Sequence, residues 1–225
     1  MSLTTDNYQK LVDSQQYTIS KITHELRNPL ALAYSTFQLI ETQHPEVTSF
    51  KHWEQLREDL DFMIQLLQEL SLFNNSNQLH KQLFSSYEWL SRVCLSFVAT
   101  CENETISFSS LLPNDLPYIT GDKLKLQEAI LNLLRNAKDA ITESGSITLK
   151  AFVEKSFLII QISDNGCGIA PEYMETLFDP FVTYKEDGTG LGLSIVKSVI
   201  LAHGGSIDVQ SKVAAGSCFT LKLPV

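Results

Sequence analysis

From Trp53 to Leu70 the apolar residues Trp53, Leu56, Leu60, Met63, Leu67 and Leu70 recur at intervals of three and four without a break. Nothing else in the chain restricts its fold as much. A strict three-four repeat lays a narrow apolar seam along one side of a helix, and such a seam is stable only against partner helices. An earlier stretch, with Ile19, Ile22, Leu26, Ala33, Phe37 and Ile40, largely keeps the same spacing. The connection around Gln43-His44-Pro45 is short, so the two helices are expected to fold back as an antiparallel hairpin. One hairpin cannot cover a seam on both sides. Two copies forming a four-helix bundle can, which predicts a homodimer.

Asn74-Asn75-Ser76-Asn77 interrupts the repeat and marks a linker. Beyond it the period changes. Alternation at Ile147-Leu149-Ala151-Val153, Leu158-Ile160-Ile162, Ile207-Val209 and Phe219-Leu221-Leu223 reads as half-buried strands. Helical stretches are expected over 123–143 and 191–202, the second stopping at His203-Gly204-Gly205. The expected fold class is therefore α+β in two domains. Residues 1–76 form the helical hairpin, and residues 77–225 form a mixed sheet layered with helices.

The formal net charge of −9 argues against general nucleic-acid binding, which wants a basic face. It also means that a polyphosphate would have to be held by local backbone donors and a metal. Cys94, Cys101, Cys167 and Cys218 show no metal-ligand spacing and are read as reduced thiols of a cytoplasmic protein. No apolar run approaches the ~20 residues that cross a bilayer, so this segment is expected to make no membrane contact. The chain opens directly into helical sequence, so any sensing or membrane-attached part is expected to lie outside it.

Four groups of residues carry chemistry. In Thr23-His24-Glu25-Leu26-Arg27-Asn28-Pro29-Leu30, His24 lies two residues past a core position and is expected to face solvent. Glu25 could hold one ring proton and raise the basicity of the other nitrogen, which suits a nucleophile. Asn28 lies one turn on along the same face. Pro29 leaves the carbonyl of Glu25 without its helical donor and favours a bend. The octet alone also fits a surface histidine on a kinked helix. On the next helix Asn132, Asn136 and Asp139 form a polar stripe whose carbonyls suit a hard cation such as Mg2+, although a plain solvated face has the same spacing. Asp164-Asn165-Gly166-Cys167-Gly168-Ile169 follows a strand. Its glycines admit close approach of a flat ligand and its aspartate can accept from an exocyclic amine, yet the same letters make an ordinary turn. Gly188-Thr189-Gly190-Leu191-Gly192-Leu193 opens a helix, where backbone N–H groups form an anion site or a simple loop-to-helix turn. The segment before it, Phe178 to Asp187, reads as a short lid, with Lys185 available to a terminal phosphate.

Together and in this order the motifs resemble those of the sensor histidine kinases. His24 to Leu30 is similar to that family's phosphoacceptor box, Asn132 to Ala137 to its N box, and Asp164 to Ile169 to its first glycine box. Phe178 to Phe181 resembles its F box, and Gly188 to Leu193 its second glycine box. The resemblance runs from about Tyr17 to Pro224, and in style is nearest the sporulation and nitrogen-regulation kinases. It implies a dimerisation and histidine phosphotransfer domain over 1–76. It also implies a catalytic ATP-binding domain over 77–225, an α/β sandwich of the gyrase, heat-shock chaperone and mismatch-repair ATPase type. The activity implied is that of a protein histidine kinase, which autophosphorylates on His24 from ATP and Mg2+ and passes the phosphoryl group to an aspartate of a response regulator. The implied roles are adenine recognition by Asp164 with Gly166 and Gly168, and Mg2+ binding by Asn136 with Asn132. Phosphate would be held by Gly188, Thr189, Gly190, Leu191 and Gly192 with Lys185. Glu25 would act as the base, and Asn28 would position water when the enzyme dephosphorylates its partner. Departures are Asp139 and Ala140, where relatives often carry a basic and an aromatic residue, and Thr183-Tyr184-Lys185 in place of the more usual Thr-Thr-Lys. A degenerate kinase serving as a scaffold, or an ATPase driving conformational change, are the rival classes.

Overall fold

The structure is a computed structural model that describes residues 2–101, 105–185 and 188–225, with side chains from residue 19 onward. It divides into two compact units, Met1–Asn75 and Ser76–Val225. Among the described residues no helix is long and apolar enough to cross a membrane.

The first unit is a hairpin of α1 (Ser2–Gln43) and α2 (Trp53–Asn74), joined through a 3-10 turn at Pro45–Ser49. Helix α1 runs through Pro29 without a break. The chain re-enters α2 at His52, whose φ of 71° places it in the left-handed region. Cross-contacts between the helices fix an antiparallel register. Phe37 stacks on Trp53 with centroids 4.7 Å apart, and Glu41 accepts from Trp53 Nε1 at 2.8 Å and also pairs with Arg57. Farther from the turn Tyr34 meets Asp61, whose carboxylate raises the phenol's pKa by accepting a hydrogen bond from its hydroxyl and by its negative charge.

Burial separates the apolar repeat into two stripes. Phe37 and Leu60 are buried, whereas Ile19, Ile22, Leu26, Leu56 and Met63 are between 40% and 51% exposed. The three-four pattern thus serves two adjacent faces, one turned into the hairpin and one turned outward. The seam expected from spacing alone mixes residues of both.

The second unit sets three helices on one face of a five-stranded sheet. In chain order these are β1 (Gln82–Ser85), α3 (Ser86–Val98), β2 (Ile106–Leu111), β3 (Tyr118–Gly121), α4 (Lys123–Asp139), β4 (Gly145–Glu154), β5 (Phe157–Asp164), α5 (Gly192–Ala202), β6 (Ser206–Lys212) and β7 (Gly216–Pro224). The sheet order is β2-β4-β5-β7-β6, with only β2 and β4 parallel, and β1 pairs separately with β3. A parallel pair needs a crossover, and α4 lies in the segment between β2 and β4. Leu133, Leu134 and Val196 from the helices, and Leu149, Ile160 and Leu221 from the strands, are all fully buried. Each such side chain contributes about 1.5–3 kcal/mol of hydrophobic stabilisation.

Helix α3 starts on a capping residue, Ser85, whose hydroxyl accepts from Glu88 N. Helix α4 starts on Asp122, which accepts from Lys125 N at 3.2 Å. It ends at Asp139, earlier than the 123–143 expected from periodicity. The reason is tertiary. The Ala140 carbonyl accepts from Cys167 N at 2.8 Å, and a Cβ on Gly166 would lie 2.4 Å from that same oxygen, so the chain turns there to meet the β5 loop. His203, expected to cap α5, does so and is also buried: its Nε2 accepts from Asp122 N at 2.8 Å and its Nδ1 bonds to Val199 O at 2.7 Å. It therefore ties the end of α5 to the start of α4.

Candidate nucleotide site and phosphoacceptor helix

Helix α4 turns its apolar side to the sheet and brings Asn132, Asn136 and Asp139 onto a second face by their spacing of four and three. Asn132 is only 6% exposed. Its Oδ1 accepts from Arg135 Nη2 at 2.5 Å, and Arg135 is held in turn by Glu128. Its Nδ2 is buried with no partner among the described residues. A buried donor without an acceptor is costly, so this amide would gain from an oxygen brought to it by a ligand or a water. Asn136 is half-buried, and its Oδ1 accepts from Lys185 Nζ at 3.2 Å.

Asp164 stands at the end of β5. Its Oδ1 accepts from Gly166 N at 2.9 Å and Ser217 N at 3.3 Å. Burial raises its pKa, and the two backbone amides only partly oppose that shift. Ser217 lies 53 residues away in sequence. No local spacing could have revealed it; only the pairing of β5 with β7 brings it there. The neighbouring glycines keep this corner tight. Gly168 has φ 69°, and a Cβ on it would lie 2.1 Å from Lys212 O. A Cβ on Gly216 would lie 1.9 Å from the carbonyl of Asp164 itself.

In the second glycine segment the glycines do different work. Gly188 would clash with Thr183 Oγ1 at 2.2 Å, and Gly190, at φ 69°, with the Phe181 backbone at 2.5 Å. Those two let the lid fold closely over the loop. A Cβ on Gly192 would meet nothing within 4 Å. Gly192 begins α5, whose N-cap Leu191 makes no side-chain cap bond, so the amides of its first turn lack a capping side chain. Thr189 Oγ1 accepts from Leu191 N at 3.3 Å, and Leu191 is fully buried, so those two shape the turn. The lid expected over Phe178 to Asp187 is described as far as Lys185, and Asp187 lies outside the described residues. Lys185 Nζ also meets Asp139 Oδ2 at 2.8 Å. The second unit thus brings Asn136, Asp139 and Lys185 into direct contact. Asp164 with its glycines, after β5, and Gly192, at the start of α5, lie on other segments of the same unit.

In the hairpin, His24, Glu25 and Asn28 are all exposed on α1. Glu25 lies 3.9 Å from Lys21, one turn back, and Thr23 is buried with its hydroxyl on Ile19 O at 2.8 Å. The imidazole is free to be approached, as its position in the repeat requires. Tyr17, where the motif resemblance begins, lies outside the described side chains.

Residues 121–225 match the family described as histidine kinase-, DNA gyrase B- and HSP90-like ATPases. The signal transduction histidine-protein kinase AtoS of Escherichia coli K12 is 32% identical over 205 residues, covering 91% of this chain and 34% of that protein. Sporulation kinase D of Bacillus subtilis 168 is 28% identical over 204 residues, covering 90% of this chain and 40% of that protein. The chain therefore spans well under half the length of these two relatives. Among solved structures, full-length ShkA in complex with AMPPNP superposes over 92% of this chain and 45% of its own, with a TM-score of 0.78 and 25% identity. The catalytic domain of histidine kinase ThkA covers 64% of this chain and 95% of its own, with a TM-score of 0.59 and 28% identity. With its motifs, its two-unit fold and these likenesses, the chain belongs to the sensor histidine kinases and carries their catalytic core.

Proposed function

We propose that this chain binds ATP in the Ser76–Val225 unit and transfers the γ-phosphoryl group to His24, then to an aspartate of a response regulator. The observation that carries this reading is the buried, unpartnered Nδ2 of Asn132, on the same helix as Asn136. It is a donor without an acceptor, one helical turn from the Asn136 carbonyl that Lys185 approaches. The AMPPNP named with ShkA is the matching ligand class.

Asp164 would take the adenine amino group on its carboxylate, oriented by Gly166 N and Ser217 N, while Gly166 and Gly168 let this loop pack directly against Ala140 and Lys212. The first-turn amides of α5, from Gly192, with the Gly188–Leu191 turn and Lys185, would hold the phosphates. Asn136 through Oδ1, which keeps a second lone pair beside the one turned to Lys185, is the residue proposed to hold Mg2+. Asn132, its oxygen taken by Arg135, would instead offer Nδ2 as a donor to a phosphate oxygen. Mg2+ bound to ATP would spread the charge that develops on the phosphates.

In the transfer, the lone pair of an imidazole nitrogen of His24 forms the N–P bond. The bond from the γ-phosphorus to the bridging oxygen breaks, ADP leaves, and the proton on the other ring nitrogen passes toward Glu25. A swing about the linker at 74–77 would bring donor and acceptor together. Asn28, exposed one turn from His24, would position water when the enzyme dephosphorylates its regulator. The outward stripe of the hairpin would be covered by a second copy, giving a homodimer acting in the cytoplasm. Incubation with γ-labelled ATP and Mg2+ tests the reading. Acid-labile, base-stable label on the chain supports it, and nucleotide binding without such label would leave the scaffold or ATPase class.

A further inference from the structure

Within the second unit the lid lysine, Lys185, reaches back to two side chains of helix α4. Lys185 Nζ donates to Asp139 Oδ2 at 2.8 Å and to Asn136 Oδ1 at 3.2 Å. Tyr184, the residue before it, stacks on Tyr173 with centroids 3.6 Å apart, and its hydroxyl lies 2.8 Å from Thr176 Oγ1. The lid is thus pinned at Tyr184 while its lysine reaches back to helix α4.

The side chains of Lys185 and Asp139 are 46% and 54% exposed. Pairs at that exposure add little to stability, so fold stabilisation is a weak account of this one. A lysine is a flexible point charge, and what a fixed carboxylate supplies is position. Its ammonium has three N–H donors, and with two given to Asn136 and Asp139 one remains for an anion. An unpaired aspartate one turn beyond Asn136 would repel a polyphosphate, whereas a paired one does not. We propose that Asp139 is a positioning residue that holds the Lys185 ammonium beside Asn136, so that Lys185 favours a nucleotide with a third phosphate. This inference rests on the nucleotide reading above.

The test is titration of the full chain with Mg2+·ATP and with Mg2+·ADP, for the wild type, Asp139→Asn and Asp139→Glu. Asp139→Asn is expected to weaken ATP about three- to fivefold and leave ADP within about twofold, lowering the ATP-over-ADP preference. Asp139→Glu keeps the charge and is expected to restore the preference. Equal losses for ATP and ADP would overturn the proposal and make Asp139 a structural residue or a metal ligand. An unchanged ratio in Asp139→Asn would overturn it too. If the wild type bound neither nucleotide, the nucleotide reading itself would fall and this inference with it.

Discussion

Asp164 shows how much a single residue says before and after folding. Its place at the end of a strand, followed by two spaced glycines, was legible in sequence. Its second anchor was not, because Ser217 reaches it only through the β5–β7 pairing. The fold also perturbs its chemistry, since burial raises its pKa. A raised pKa means the carboxylate takes up a proton earlier as pH falls. Adenine-nucleotide affinity is therefore expected to decline on acidification before the ordinary carboxylate range is reached. Asp164→Asn, already about tenfold or more weaker for loss of a charge-assisted bond, is expected to lack that component. Titrations of both proteins across pH 7 to about 4.5 check this, and parallel curves would count against Asp164 as the adenine acceptor.

At the level of elements, the long helices and the late strands could be read because burial repeats regularly along them. Residues 78–121 hold β1, α3, β2 and β3, none of which follows from a regular apolar period. Helix α3 carried a usable signal: Ser85 and Glu88 three residues apart, ahead of Trp89, Leu90, Val93 and Phe97. Strand β2 carried little, since its burial barely alternates and its parallel partner β4 starts 39 residues after it. The joint between α4 and α5 was also hidden, because His203 looks like an ordinary helix stop. Burial lowers its pKa, although its bond to Val199 opposes this. Charging Nε2 would remove the acceptor for Asp122 N. A depressed pKa gives a contribution that is complete above the ordinary imidazole value of about 6.5 and is lost as pH falls below it. Asp122, by contrast, is held below its usual pKa: burial pushes it up, but the His80 and Lys125 amides and nearby positive charge outweigh that. Its contribution is lost only in the more acid carboxylate range. Thermal unfolding of the second unit is thus expected at a constant midpoint above pH 7 and a falling one from pH ~6.5 to ~5. A midpoint unchanged across that window would contradict this role for His203.

For the whole molecule, the opening repeat of α2 predicted more helix contact than one hairpin supplies, and the structure shows where the surplus goes. Ile22 and Leu26 are 50% and 51% exposed on α1, and Leu56 and Met63 are 44% and 42% exposed on α2. Ile22→Glu with Leu26→Glu is expected to convert a dimer to a monomer in sedimentation equilibrium while leaving nucleotide affinity unchanged. A wild type that sediments as a monomer at micromolar concentration would contradict the four-helix bundle. The central claim spans both units, joining a phosphate donor in one to an exposed histidine in the other. Its most direct test is the extent of phosphorylation from γ-labelled ATP and Mg2+, measured side by side for the wild type, His24→Gln and Asn136→Ala. The account predicts acid-labile, base-stable label on the wild type, none on His24→Gln despite intact nucleotide binding, and strongly reduced label on Asn136→Ala. Undiminished label on His24→Gln would contradict it.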